Sequence, residues 1–417
     1  MVVVPIPQRL LFVALLAPLA VGALNTECKP SSSAQTDTEI TRLRQQVKLR
    51  PDDPVLLYNL AADYADKCDE KSTLGLLEKV ASLKGGLDPA EYRGFASLGG
   101  RPEFKAIVAR IRTNNPVNVR STAAFVIREP DLFPEGMAYA RFNGRVYAGS
   151  VKRKIVWTDK TEVVHDLVKP GQDGLAYVAG LHVDELRKQL WAVSSKFGNA
   201  PELADAIPGL FLYSLVSGEQ INTFRAPGSS AGNLNDVTVV PSSGVAFTTN
   251  TEEGTVYTVN TQTKQLEQFL PTGSVPGANG IALSDDERIL FVAGDFGIFR
   301  VELKTKQLVE LSKPNDVIDA SMDGLYFYRQ SLVGIQNGIH PGRVVRFYLD
   351  PALRNITQAE ILETYNPVFE NPTTGSLDGD SFLFMANTQL HKWNPGKPSP
   401  PVSQLHDIRI LRVSLSH

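Results

Sequence analysis

The sequence predicts an all-β, six-bladed β-propeller preceded by a small α-helical segment, and three observations carry that prediction. A strand-opening motif recurs along the chain. The hydrophobic period changes from helical to alternating at Asn114-Asn115-Pro116. The alternating part runs from about residue 120 to 417, roughly the 300 residues that six four-stranded blades require. The motif reads Pro-Glu135-Gly-Met-Ala-Tyr, Ala179-Gly-Leu-His-Val-Asp, Leu-Asn235-Asp-Val-Thr-Val, Ala-Asn279-Gly-Ile-Ala-Leu, Met-Asp323-Gly-Leu-Tyr-Phe and, more loosely, Thr374-Gly-Ser-Leu-Asp-Gly. Successive copies are separated by 44, 56, 44, 44 and 51 residues. A near-constant interval of this length is the signature of a repeated blade.

Taken in order, residues 1–23 read as an export leader: Arg9 precedes the apolar run Leu10 to Ala20, and Val21, Gly22 and Ala23 supply the small residues a signal peptidase accepts. The expected location is therefore secreted or periplasmic. The apolar run is shorter than the roughly 20 residues of a spanning helix, so no membrane span is expected, an uncleaved anchor being the other reading of this segment. The formal net charge of -3 carries no basic excess to hold a phosphate backbone, which excludes nucleic acid as the expected partner. Cys28 and Cys68 are the two cysteines. In an exported chain they either form one disulfide that pins the N-terminal tail or remain two unpaired thiols.

Residues 36–113 carry a helical period. Asp53-Pro54 is a helix start, Leu57, Leu60, Ala61 and Tyr64 share one face, and Leu74, Leu76, Leu77 and Val80 mark the next helix. The stretch from Pro51 to Ala61 resembles the opening of a tetratricopeptide repeat. Fewer than three such repeats seldom stand alone, so this segment is expected to pack on the propeller, where it also offers a docking place for a protein partner. Within residues 120–417, each of the first five opening motifs is followed by a turn and a second strand, such as Arg145-Val-Tyr-Ala-Gly or Ile289-Leu-Phe-Val-Ala. Two blades continue into a third strand and a Thr-Lys-Gln turn. The last strand, from Ile408, has no partner downstream and is expected to join the sheet of the first blade beside Ala123 to Arg128.

A propeller places the first residue of every inner strand around one mouth of a central channel, so equivalent positions converge although they are distant in sequence. Glu135, Asn235, Asn279 and Asp323 occupy those positions. Carboxylate and amide oxygens suit a hard divalent cation, and two carboxylates balance one Ca²⁺ while leaving positions open for water or substrate. The set lacks His and Cys, which places Zn²⁺ second to calcium. Each of these residues, taken singly, also suits a strand or turn start for local hydrogen-bonding reasons.

From Arg120 onward these motifs resemble the senescence-marker-protein, gluconolactonase and luciferin-regenerating-enzyme family, with kinship to paraoxonases. That resemblance implies metal ligation by Glu135, Asn279 and Asp323, and a further ligand or a substrate contact from Asn235-Asp236. It implies hydrolysis of a lactone or ester, with Asp323 as the base that activates water. In some relatives an Arg two positions before the third-blade Asn binds acidic sugar lactones. Here that position is Asn233, which weakens the case for such a substrate. The paraoxonase-type His-Gly pair aligns with Ala179-Gly180, so a histidine dyad is not expected there. His182 is read as a core or channel-lining residue, with proton transfer as its other reading. Asn233, Asp236 and His182 are thus the candidate substrate contacts. The loop from Lys196 to Pro208 either overhangs the channel or is a plain surface insertion. His340 is read as a turn residue, and Asn355-Ile-Thr as a glycosylation acceptor if the source is eukaryotic. Two other functions fit the fold: a non-catalytic metal-binding propeller acting as an interaction module, and a metal-independent carbon–carbon-forming propeller of the strictosidine-synthase type.

Overall fold

The structure is a computed structural model that describes residues 28, 30, 34–196, 201–228 and 232–416. The leader-like residues 1–23 lie outside the described residues. Four α-helices come first: α1 (Ala34–Leu49), α2 (Pro54–Asp66), α3 (Glu70–Ser82) and α4 (Pro102–Asn114), with a 3₁₀ turn at Arg93–Leu98 before α4. Helix α2 starts where Asp53 accepts hydrogen bonds from the Val55 and Leu56 amides at 3.0 and 3.1 Å, with Pro54 in the first turn, where its missing N–H costs nothing. Cys28 is bridged to Cys68, just past the end of α2, with the two Cα atoms 5.8 Å apart. Among the described residues no helix is long and apolar enough to cross a membrane.

The rest of the chain is β structure in a propeller-like arrangement of antiparallel meanders. The first comprises β2 (Pro134–Ala140), β3 (Arg145–Ser150), β4 (Lys154–Thr158) and β5 (His165–Val168). The next two are β6 (Tyr177–Asp184) to β9 (Gln220–Arg225), through β7 (Gln189–Ser195) and β8 (Gly209–Ser214), and β10 (Leu234–Val239) to β13 (Gln265–Gln268), through β11 (Ala246–Asn250) and β12 (Thr255–Asn260). A single parallel pairing, Gln265 with Arg225, joins these two into one eight-stranded sheet. Then come β14 (Ile281–Leu283), β15 (Ile289–Ala293), β16 (Ile298–Glu302) and β17 (Leu308–Glu310), followed by β18 (Met322–Tyr328), β19 (Ser331–Gln336), β20 (Arg343–Leu349) and β21 (Ile356–Thr364). The two Thr-Lys-Gln turns adopt the same backbone, with Lys264 and Lys306 at φ of 56° and 58°.

The last sheet corrects one expectation. The C-terminal strand β24 (Ile408–Ser414) does pair with β1 (Thr122–Ile127), from Thr122 opposite Arg412 to Ile127 opposite Ile408. The sheet it completes, however, is that of β22 (Gly375–Asp378) and β23 (Ser381–Met385), in the order β1-β24-β23-β22. The Glu135 motif already opens a full meander of its own, so β1 serves as the outer strand of the last sheet and ties the two ends of the chain together.

Strands β2, β6, β10, β14, β18 and β22 are each neighbours of the next, and β22 returns to β2, so the inner strands close a ring. The cores lie between the sheets. Phe291, Met322, Leu325, Val345 and Phe347, for example, fill the space between the β14–β17 and β18–β21 sheets. Phe291 stacks on Phe327 with ring centroids 5.8 Å apart.

Candidate metal centre

Glu135, Asn235 and Asp323 sit on a recurring backbone irregularity. Register shifts fall between Pro134 and Met137, Leu234 and Val237, and Met322 and Leu325, and a fourth falls between Val178 and Leu181. Each shift leaves an extra residue on the inner strand, a bulge of the kind that re-aims a side chain. Asn279 precedes β14 at the equivalent place, where the Asn279 amide donates to the Ala293 carbonyl and the Ala293 amide donates to the Gly280 carbonyl, both at 2.9 Å. Contacts between these starts run round the ring. A Cβ at Gly136 would run into the Ala179 carbonyl, and one at Gly280 into the Asp323 carbonyl, so only glycine permits this approach. Thr249 Oγ1 donates to the Asn279 carbonyl at 2.7 Å, and Thr374 Oγ1 donates to the Glu135 carbonyl at 2.7 Å.

Asp323 is buried and accepts hydrogen bonds from the Asn337 Nδ2 and from the Asn279 amide group. Asn279 Oδ1 is buried with no hydrogen-bond partner. Asn235 Nδ2 donates to Thr251 Oγ1 at 3.2 Å. Burial, then the nearby charges of Asp323 and Asp236, push the Glu135 carboxyl up to about 8. Burial raises Asp236 to about 7 against the pull of hydrogen bonds from the Val237 and Ile281 amides. Burial raises Asp323 to about 6 against the pull of Asn337 and Asn279. Glu135 keeps some surface of its own, yet protein surrounds it at longer range, and that enclosure governs its ionisation. Among the described residues no basic side chain contributes to any of the three shifts.

This donor set fits a divalent cation. Carboxylates that repel one another and have no basic partner need either protons or a cation, and the unpartnered Asn279 oxygen is the type of neutral donor a hard ion takes. Among the described residues no three His, Cys, Asp or Glu side chains are disposed to hold a metal by themselves. A metal here would therefore rely on the asparagine amides as well as Glu135 and Asp323.

The substrate-contact candidates divide. Asp236 Oδ1 accepts the Val237 amide at 2.8 Å and Oδ2 accepts the Ile281 amide at 3.2 Å, so its carboxylate ties β10 to β14 rather than standing free for a ligand. His182 lies opposite Trp191 on β7, and burial, opposed by Asp184, pushes its pKa down to about 4. Its side chain is half-buried on the inner strand β6. Asn233 is buried, and its carbonyl accepts the Thr251 amide at 3.1 Å. His340 is a turn residue in a cis peptide with Pro341, and its ring stacks on Tyr92 at 5.2 Å. Asn355 is exposed and its Nδ2 donates to Asp350 Oδ2 at 2.7 Å.

Sequence reasoning missed Asn337. In an antiparallel meander the end of the second strand lies beside the start of the first, so Thr251 and Asn337 stand at the same rim as Asn235 and Asp323. The signal was the polar run closing these two second strands, in Thr249-Asn-Thr and Gln336-Asn.

The rim carries two covers. Phe296, Ile318, Ala320 and Ile339 lie in connections at this end of the β14–β17 and β18–β21 sheets, and they share apolar clusters with α1 to α4. Arg343 Nη1 donates to the Gly85 carbonyl at 3.0 Å, and the Asp88 amide donates to the His340 carbonyl at 2.8 Å. On the far side the long β23–β24 connection brings Leu390, Trp393 and Leu405 against Phe133, Tyr177 and Leu203. Leu203 is fully buried there, so this part of the Lys196–Pro208 loop is anchored at the mouth; Phe197 lies outside the described residues.

No protein-family model matches the chain, and no curated protein matches it. Among solved structures it is similar to a nidogen/laminin complex, at 12% identity over 57% of this chain and 81% of that chain, with a TM-score of 0.43. A likeness at that level carries no functional argument.

Proposed function

We propose that the chain is a six-bladed propeller hydrolase of the senescence-marker-protein, gluconolactonase and luciferin-regenerating-enzyme type, acting outside the cytoplasm on a lactone or ester. Counting the eight-stranded sheet as two meanders gives six, which supports the blade number. The observation that carries the function is the gathering of Glu135, Asp323 and the unpartnered Asn279 oxygen at one rim with no basic side chain, among the described residues, to neutralise them.

In this reading Glu135, Asn235, Asn279 and Asp323 hold a divalent cation, calcium in preference to zinc. Such an ion, when bound, polarises a carbonyl and stabilises charge on its oxygen. Asn337 and Asn279 fix the Asp323 carboxylate, and an oxygen of that carboxylate takes the proton of the attacking water. The two covers of the rim keep bulk water from the reacting ester. Asn233 in place of a cation favours a neutral substrate over an acidic sugar lactone.

The test is turnover of a panel of neutral lactones and aryl esters with Ca²⁺ present. Activity should vanish with a chelator and in Asp323→Asn. A calcium-loaded protein that turns over nothing on the panel would leave the non-catalytic module as the function.

A further inference from the structure

At the rim opposite the candidate metal centre, between the β14–β17 and β18–β21 sheets, Arg300 is 7% exposed. It projects from β16 into a cavity of about 230 Å³, whose lining also includes Arg288, Ile289, Glu302, Pro351 and Leu353. Arg300 Nε has no hydrogen-bond partner. Glu302 and Asp350 act on the guanidinium only through space, while burial and the neighbouring Arg354 push its pKa down. Arg288 is engaged with Asp286 through Nε at 2.7 Å and Nη2 at 2.6 Å, which leaves Arg300 as the cation without a matched acceptor. Nε, shut off from water without an acceptor, carries a desolvation cost that no neighbour repays.

We propose that this cavity is a binding site for a small aliphatic monocarboxylate. The planar guanidinium offers two parallel N–H groups that match a carboxylate. Ile289, Pro351 and Leu353 supply the smaller, apolar share of an otherwise polar lining, enough for the few carbons of a short chain. Glu302 and Asp286 beside the site repel a dianion such as phosphate more strongly than a singly charged carboxylate. The site shares no residue with the channel, so its test is independent of the hydrolase reading.

The test is calorimetric titration of the full chain with butyrate, with butyramide as the uncharged counterpart and with inorganic phosphate, at constant ionic strength. Butyrate should bind saturably, at least tenfold more tightly than butyramide or phosphate. Arg300→Met should weaken butyrate binding at least tenfold. Leu353→Trp, which fills the cavity while keeping the arginine, should do the same and carries the test if Arg300→Met does not fold. Absence of saturable butyrate binding, equal binding of butyramide, tighter binding of phosphate, or unchanged affinity in a folded variant would overturn the proposal.

Discussion

Asp323 is fixed by two amides from different sheets, that of Asn279 just before β14 and that of Asn337 in the β19–β20 connection, which the helical segment clamps through Tyr92 and Asp88. Residues that orient a ligand typically contribute about 10–100-fold in metal affinity. Asn337→Ala should therefore weaken Ca²⁺ binding by about that factor in calorimetry. The ionisations set a pH dependence. In the metal-free protein Glu135 stays protonated to about pH 8, whereas the unfolded chain ionises near the ordinary 4.5. Asp236 and Asp323 behave likewise up to about 7 and 6. The unfolded chain then holds fewer protons, so stability falls as pH rises from about 4 to 8. Urea unfolding with chelator present should show that fall, and Glu135→Gln should flatten it. The four proposed ligands were legible because each opens a repeated motif. Asn337 was not, because its partnership with Asp323 exists only once two strands pair.

At the scale of elements, the bulges decide what the inner strands present. Their position at a Glu-Gly, Asn-Asp or Asp-Gly pair was readable as a repeat, but an extra residue opposite a single partner is a property of pairing and leaves no mark in one strand's sequence. The helical segment shows the same division. Its helices followed from period and from Asp53-Pro54, whereas its seat at the mouth depends on residues such as Ile318, Ile339 and Arg343, far along the chain. Arg343 is buried, with Nε donating to Gln336 Oε1 at 2.7 Å and Nη1 to the Gly85 carbonyl. Arg343→Met leaves both acceptors buried and unpaired, at about 2–4 kcal/mol. The variant should unfold at lower urea than the wild type, and amide exchange should rise first in α2 and α3.

For the molecule as a whole, closure depends on the pairing of β1 with β24. Ile408, Ile410, Leu411 and Val413 are buried in that strand. At about 2 kcal/mol for each buried side chain their loss removes roughly 8 kcal/mol, comparable with the whole stability of a typical domain. A chain ending at Asp407 should lose its cooperative unfolding transition and aggregate in size-exclusion chromatography. That the terminal strand meets Ala123 to Ile127 was legible, since an unpaired strand at each end invites the match. Which sheet they complete was not, because it turns on whether β2 already heads four strands. Closure of this ring brings Glu135 from its beginning within reach of Asp323 near its end, and the cation site proposed there is the central claim. The direct measurement is metal content and affinity after dialysis against Ca²⁺, in the wild type and in Asp323→Asn and Glu135→Gln. One calcium per chain in the wild type and none in either folded variant is the predicted result. A wild-type chain that binds no divalent cation, or variants that bind it as well as the wild type, would contradict the account.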